Sequence, residues 1–473
     1  MSINQINATS WDESKNKLLC SIGSILSRLL SGSFAMKTSI VLACVTTALL
    51  AGCSNPGAVQ SSPQTYMLSR TDQGGISGNS AARKAGVIKE ATDFPLNLGS
   101  PKIRNIPIPT FPGSYAIWGA TGSDSRGHIW VGVSAKGVKV PSAHLFEFVP
   151  EADQLIDRGD VVTELKRAGL WREGEGQQKI HSKIVQASDG HLYFASMDEE
   201  GENEDGSKLP IWGSHLWRLN LPSLTWEHLL AVPQGLIAVG HGANYVYALG
   251  YFGHVLYQFD TKSGDVRTVE VGSVGGHISR NFLCDARGHV YVPRLIRKKD
   301  IKLPPVVSLV EFDTEMREVN QTPLKHYLGR DWTYGHGIVA LQMLADGSIY
   351  FVTDPGFLYR IIPGQKTTSE VREVGWIHPK GESYTASLFT DDGTSTLYAQ
   401  SRAYRERKYE WLVYNLANST VETFPFGVDE PSLPPLKKTL LYGSMSKDFD
   451  KNFYVVGTFN LKTPLLFRVS LAR

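Results

Sequence analysis

Five side chains able to move protons or hold an anion fall in four short stretches, three of which contain glycine. They are His181 in Lys179-Ile-His-Ser-Lys183, Tyr251 in Gly250-Tyr-Phe-Gly-His254, His277 and Arg280 in Gly275-Gly-His-Ile-Ser-Arg-Asn281, and His336 in Tyr334-Gly-His-Gly337. Together these types suit the removal of a weakly acidic proton beside a carboxylate. Arg and His neutralise the carboxylate, a Tyr or His takes the proton, and the same hydroxyl can return it to a leaving oxygen. A neighbouring cation lowers a tyrosine pKa and makes the phenolate accessible. That chemistry is β-elimination on a uronic acid. Each residue alone also has a structural explanation: a His beside Gly bonding to neighbouring backbone, a packing Tyr, or an Arg in an ion pair between sheets. No one of them is a motif, and only the fold can bring them together.

The elements that would position them are short strands in a loose repeat. Arg126-Gly-His-Ile-Trp-Val131 returns as Asp189-Gly-His-Leu-Tyr-Phe194, Asn244-Tyr-Val-Tyr247, Arg287-Gly-His-Val-Tyr-Val292, Asp346-Gly-Ser-Ile-Tyr-Phe351, Ser395-Thr-Leu-Tyr398 and Lys451-Asn-Phe-Tyr-Val455. A second alternating strand follows each, as in Leu145-Phe-Glu-Phe148 and Leu466-Phe-Arg-Val469. Turn residues and paired alternating strands repeating at this scale are the signature of propeller blades. The fold expected is all-β, a seven-bladed β-propeller over 101–473. The seventh repeat lacks an outer strand, and the alternating stretch Lys102-Ile-Arg-Asn-Ile-Pro-Ile108 precedes the first, so an N-terminal strand is expected to close the ring.

Blade topology sorts the loops. The Asp-Gly turns lie on one face of the disc. The opposite face carries the links into each innermost strand and the loops between second and third strands. The latter vary most, at Asp198–Pro210, Arg294–Pro305 and Ala403–Tyr409. Variable charged loops on a rigid scaffold are where sites are usually built. His181, Tyr251, His277, Arg280 and His336 all belong to that face and are expected to share one sector of the funnel. Lys183, His254, Arg294 and Trp332 are candidate substrate contacts there, and Tyr404 and Tyr409 suit sugar stacking.

Ahead of the repeats, Met36-Lys37 opens an apolar run from Thr38 to Leu50, followed by Leu50-Ala51-Gly52-Cys53. This pattern resembles a bacterial lipoprotein signal, which implies a lipid on Cys53 and a chain held at the cell envelope, at the outer membrane or cell surface. The run is too short to span a bilayer. Residues 1–53 are read as leader and signal, with Met36 the expected start, and 54–100 as a flexible tether rich in Ser, Gly, Gln and Pro. Cys20 and Cys44 would leave with the leader and Cys53 would carry lipid, so Cys284 would stand without a disulfide partner. Of the 473 residues, 42% are apolar and 20% charged, values ordinary for a globular chain, and the net charge of +2 demands no polyanion. No basic helix, zinc-finger spacing, Gly-x-Ser-x-Gly or His-Glu-x-x-His occurs. Nucleic acid is not an expected partner.

With His181, Tyr251 and Arg280 on a seven-bladed scaffold, the chain resembles the propeller polysaccharide lyases of the ulvan lyase type. These use His, Tyr and Arg on the funnel face and are often secreted or surface-held by marine bacteria. The resemblance implies a lyase acting as a monomer on an acidic polysaccharide, with His181, Tyr251 and Arg280 catalytic. It also implies room for a structural divalent metal, zinc or calcium, with His277 and His336 as ligand candidates beside the alternative of no metal. The other reading the residues leave open is a surface lipoprotein whose propeller only binds a glycan or protein, because fold alone does not choose between platform and enzyme.

Overall fold

In the computed structural model the described residues are 100–471, apart from 204–206, 252–253, 274–277, 298–304, 330–334, 366–367, 405–407 and 428–434. The signal, Cys53, His277 and Trp332 lie outside them. The described strands form seven antiparallel sheets arranged as the blades of a propeller. Blade three shows the plan: Leu236–Gly242 innermost, then Tyr245–Gly250, Val255–Asp260 and Val266–Glu270 outermost. The seventh blade is completed from the N-terminal side. Lys102–Asn105 pairs antiparallel with Thr463–Ser470, Lys102 opposite Ser470 and Asn105 opposite Phe467. The N-terminal strand expected from the sequence therefore closes the ring and covers what would be an exposed edge.

The repeated aromatics hold the blades together. Trp130, Tyr193, Tyr247, Tyr291, Tyr398 and Tyr454 are buried at 0–1% exposure, packed between neighbouring sheets. Four of them reach back to an aspartate in their own turn. Trp130 Nε1 donates to Asp124 at 3.0 Å, Tyr193 to Asp189 at 2.6 Å, Tyr291 to Asp285 at 2.8 Å and Tyr454 to Asp448 at 2.7 Å. The second oxygen of each aspartate accepts a backbone N–H of the turn, from Arg126, His191, Arg287 and Asn452. Each such bond contributes about 0.5–1.5 kcal/mol net. The motif is thus a device that locks a hairpin turn to the aromatic that follows it.

One helix was not expected. Helix α1, Val161–Arg167, begins at Asp160, whose side chain accepts from the Thr163 N–H, and it buries Val161, Val162 and Leu165. Its apolar spacing matches a helical face within a chain dominated by alternation. It joins the outer strand of blade one to blade two. Among the described residues no helix is long and apolar enough to cross a membrane.

Candidate functional site

Two innermost strands are interrupted, and the interruptions form the site. In blade one the inner strand stops at Ala116 and resumes at Thr121; in blade two it stops at Ile180 and resumes at Val185. Trp118 and Gly119 occupy the first gap, and His181, Ser182 and Lys183 the second. Gly119 has φ +97°, and a Cβ there would stand 2.9 Å from the Gly443 carbonyl oxygen, so the bend requires glycine. Ser182 repairs the ladder by accepting the Ala195 N–H at 2.8 Å. Blade four does the same across to blade five, where Ser279 accepts from the Ile338 N–H at 3.0 Å and Asn281 donates to the Ile338 carbonyl at 2.9 Å. Arg280 lies between these two anchors.

A narrow pocket opens here, lined among others by Trp118, His181, Lys183, Arg280, Tyr384 and Gly443. These come from blades one, two, four, six and seven, so the site surrounds the propeller axis instead of occupying the one sector expected of blades two to five. The physical reason is that inner strands converge on the axis, and a residue in a strand break faces it whichever blade it belongs to. Trp118 runs nearly parallel to the His181 ring, 5° between planes with centroids 6.5 Å apart, and packs 4.7 Å from Tyr442. The Arg280 guanidinium lies over the Tyr442 ring at 5.1 Å.

The electrostatics of this pocket are one-sided. His181 is buried and its Nδ1 has no hydrogen-bond partner; Arg280 Nε is likewise buried and unpartnered. Arg280 NH2 meets His336 Nε2 at 3.5 Å, and no carboxylate lies within ion-pair distance of Arg280 among the described residues. Burial, followed by the charges of Lys179, Arg280 and Lys183, pushes His181 well below its ordinary value, so it stands neutral. Burial and Arg280 bring Lys183 down to about 7. Its Nζ donates to the Gly119 carbonyl at 3.1 Å and the Gly443 carbonyl at 2.5 Å. Uncompensated donors and cations between aromatic walls make a receptor for an anion with a flat or apolar ring face.

Two tyrosine–carboxyl pairs lie near this centre. Tyr251 donates to both oxygens of Glu202 at 3.1 Å, and Glu202 is pushed up to about 8 by burial first and Glu199 second. Lys179 is paired with Glu199 and lies over the Trp118 ring at 4.7 Å. Beyond Arg280, Tyr404 donates to Asp354 at 2.5 Å, and the same carboxylate accepts the His336 N–H at 2.5 Å. Burial, above all, raises Asp354.

The residues expected from the sequence are thus distributed unevenly. His181, Lys183 and Arg280 meet in the pocket, with His336 against Arg280. Tyr251 shares their face, but it is 4% exposed, packs in the core with Leu249 and Leu256, and does not line the pocket. His254 is fully buried in the same link, where its carbonyl accepts the Val271 N–H. Arg294 is committed to Glu318 through two bonds of 3.0 and 2.8 Å, an ion pair from the second strand of its blade to the fourth. These three are held away from the pocket by other contacts, Tyr251 by Glu202 of blade two, His254 by its own blade and Arg294 by Glu318. Tyr409, expected to stack on sugar, is buried and donates to the Thr439 carbonyl at 3.1 Å. Trp118, Tyr384 and Tyr442 were missed. The glycine that interrupts the alternation after Trp118 is the signal that marked it.

The pairing of His277 with His336 as metal ligands lies partly outside the described residues. Cys284 is half-buried and its thiol is pushed well above the ordinary value by burial, which disfavours the thiolate a metal needs. The ligand-like group that is described, Asp124, His128 and Glu147, stands on the turn face. There the Arg126 guanidinium bridges Asp124 at 2.6 Å and Glu147 at 2.7 Å, supplying the positive charge a cation would bring.

No family model matches the chain, and no curated protein does. Solved structures of similar shape include YCF48 bound to D1 peptide, 11% identical with a TM-score of 0.47 over 79% of this chain and 96% of that one. Another is the extracellular domain of a putative hybrid two-component system of B. thetaiotaomicron, 12% identical, TM-score 0.47, over 77% of this chain and 41% of that one. A third is the β-propeller domain of the Trilobed protease from Pyrococcus furiosus, 10% identical, TM-score 0.43, over 77% and 96%. These likenesses concern fold alone.

Proposed function

We propose that the protein is a polysaccharide lyase that cleaves a uronate-containing, ulvan-like polysaccharide by β-elimination in the axial pocket. The observation that carries this reading is the pair of buried, unpartnered nitrogens, Arg280 Nε and His181 Nδ1, in an aromatic-walled cavity whose lining, among the described residues, includes cations and no carboxylate. Arg280 takes the uronate carboxylate and lowers the energy of the carbanion that forms beside it. Neutral His181 accepts the proton, and the incoming carboxylate offsets the cations that depress its basicity. The tyrosine role passes from Tyr251 to Tyr384, which lines the pocket and stands near Arg280. Trp118 and Tyr442 offer faces to the sugar. The test is the ultraviolet absorbance of unsaturated uronate during incubation with a panel of polyuronates. His181→Gln and Arg280→Lys abolish the signal with folding retained, and Tyr384→Phe depresses it more than Tyr251→Phe. A folded wild-type protein inert on every polyuronate rejects the reading.

A binding-only propeller is the second reading, favoured by the phenols themselves. Burial raises Tyr384, Arg280 pulls it down and Asp354 raises it, with a net upward shift that disfavours the phenolate. Measurable glycan or protein binding without unsaturated product distinguishes it. The proposal includes a monomer tethered through lipid on Cys53 at the bacterial envelope. Incorporation of labelled fatty acid that is lost in Cys53→Ser tests that part.

A further inference from the structure

Lys183 has a hydrogen-bonding pattern that elimination does not use. An ammonium carries three N–H donors and a neutral amine two. Its Nζ has two partners, the carbonyls of Gly119 and Gly443. Both glycines line the same pocket as Lys183 itself, and the charged groups facing it are Arg280 from blade four and, through His181, Lys179 of its own blade. Among the described residues no carboxylate pairs with it. Two acceptors and surrounding positive charge match an amine whose two protons are engaged and whose lone pair is left over. A Cβ at Gly443 would stand 2.5 Å from the Ala386 carbonyl oxygen and 2.9 Å from that of Val339, so glycine is required in the segment whose carbonyl holds the amine.

We infer that Lys183 is a nucleophilic amine that condenses with a 2-oxo acid, Arg280 holding the carboxylate while Nζ attacks the adjacent carbonyl carbon. Arg280 and Lys183 line one pocket, so a carboxylate held by the first is presented to the second. In the first step the Nζ lone pair forms the C–N bond and the carbonyl π pair moves to oxygen. In the second, that oxygen leaves as water with the two amine protons, and the C=N bond remains. No oxidant or reductant takes part. A buried amine beside a second cation is a recognised way to make lysine reactive near neutrality, and the value of about 7 for Lys183 agrees with the geometry. His181, neutral and with a free Nδ1, is placed to carry protons between carbonyl oxygen and water. This chemistry shares the pocket of the proposed lyase and none of its steps.

The experiment is reductive trapping on the full chain with pyruvate and cyanoborohydride, followed by peptide mass mapping. The hydride fixes the imine, so the peptide bearing Lys183 gains the mass of pyruvic acid less one oxygen atom. Labelling at Lys183 is expected to saturate with pyruvate and to rise through about pH 7, whereas exposed lysines need pH near ~10.4. Lys183→Arg removes that label and Arg280→Gln lowers it at least about tenfold. Acetone, which lacks the carboxylate, labels Lys183 far less than pyruvate. Should Lys183→Arg not fold, the wild-type pH profile and the pyruvate-to-acetone ratio still decide. An unlabelled Lys183 in a protein whose surface lysines react, or equal labelling by acetone, overturns the inference. Because trapping needs no turnover, its failure and the failure of the elimination assay are separate results.

Discussion

The two faces of the propeller treat charge in opposite ways. On the turn face the same network is built twice. In blade one, Arg126 bridges Asp124 and Glu147 while His128 Nδ1 meets Glu147 at 2.6 Å. In blade four, Arg287 bridges Asp285 and Glu311 while His289 Nδ1 meets Glu311 at 2.7 Å. Each of these four buried carboxylates has an arginine, and Asp124, Asp285 and Glu311 also accept a backbone N–H. On the opposite face, at the axis, His181, Lys183 and Arg280 gather with no carboxylate paired to them among the described residues. The turn-face pattern shows that this sequence knows how to neutralise buried charge, so the uncompensated centre is better explained by a ligand than by tolerance of strain.

Breaking one network on each side separates the two. Glu311→Ala leaves Arg287, His289 and the Ser369 N–H without their shared acceptor and is expected to destabilise by about 3–5 kcal/mol, read from denaturant unfolding. Arg280→Ala, in contrast, relieves repulsion on Lys183 and His181, so the unfolding midpoint stays level or rises. Its effect falls on function: turnover in the elimination assay drops about 10²–10³-fold. An Arg280→Ala protein as destabilised as Glu311→Ala would erase the distinction between the faces.

The pH dependence of stability sharpens it further. Lys183 titrates at about 7 in the folded chain and near ~10.4 when unfolded. Between those values the unfolded state binds more protons, so stability rises with pH through that window, and Lys183→Met flattens the slope. His181 works in the acid range. Its folded value lies well below the ordinary one, so the unfolded state gains a proton that the folded state refuses, and stability falls as pH drops below about 6.5. His181→Gln removes that contribution, measured by melting temperature across pH 5 to 7. The smallest effect expected is Tyr251→Phe, which loses one hydroxyl on Glu202, costs about 1 kcal/mol, and changes elimination little.

Much of the architecture was legible along the chain because a blade is a local object. Asp285-Ala-Arg-Gly-His-Val-Tyr291 encodes its own turn, cap and buried anchor within one hairpin, and the copies count the blades. The unfilled edge of the seventh repeat and the alternation around Ile103 together specified the closing strand. Helix α1 was hidden because its apolar stretch is one short segment inside a β-rich context.

Sequence alone thus determined the ring, the face on which each loop lies, and the candidacy of His181 and Arg280, since strand period and loop order assign these without distant contacts. Only the tertiary structure decided which side chains share a cavity. Tyr251 and Arg294 turn toward Glu202 and Glu318, while Trp118, Tyr384 and Gly443, drawn from blades far apart in the chain, surround the axis. The condition of Lys183 also arises there, because the two carbonyls that hold it and the arginine that opposes its charge lie on three other blades. Burial and the sum of neighbouring fields are properties of the assembled ring, and no local pattern of residues carries them.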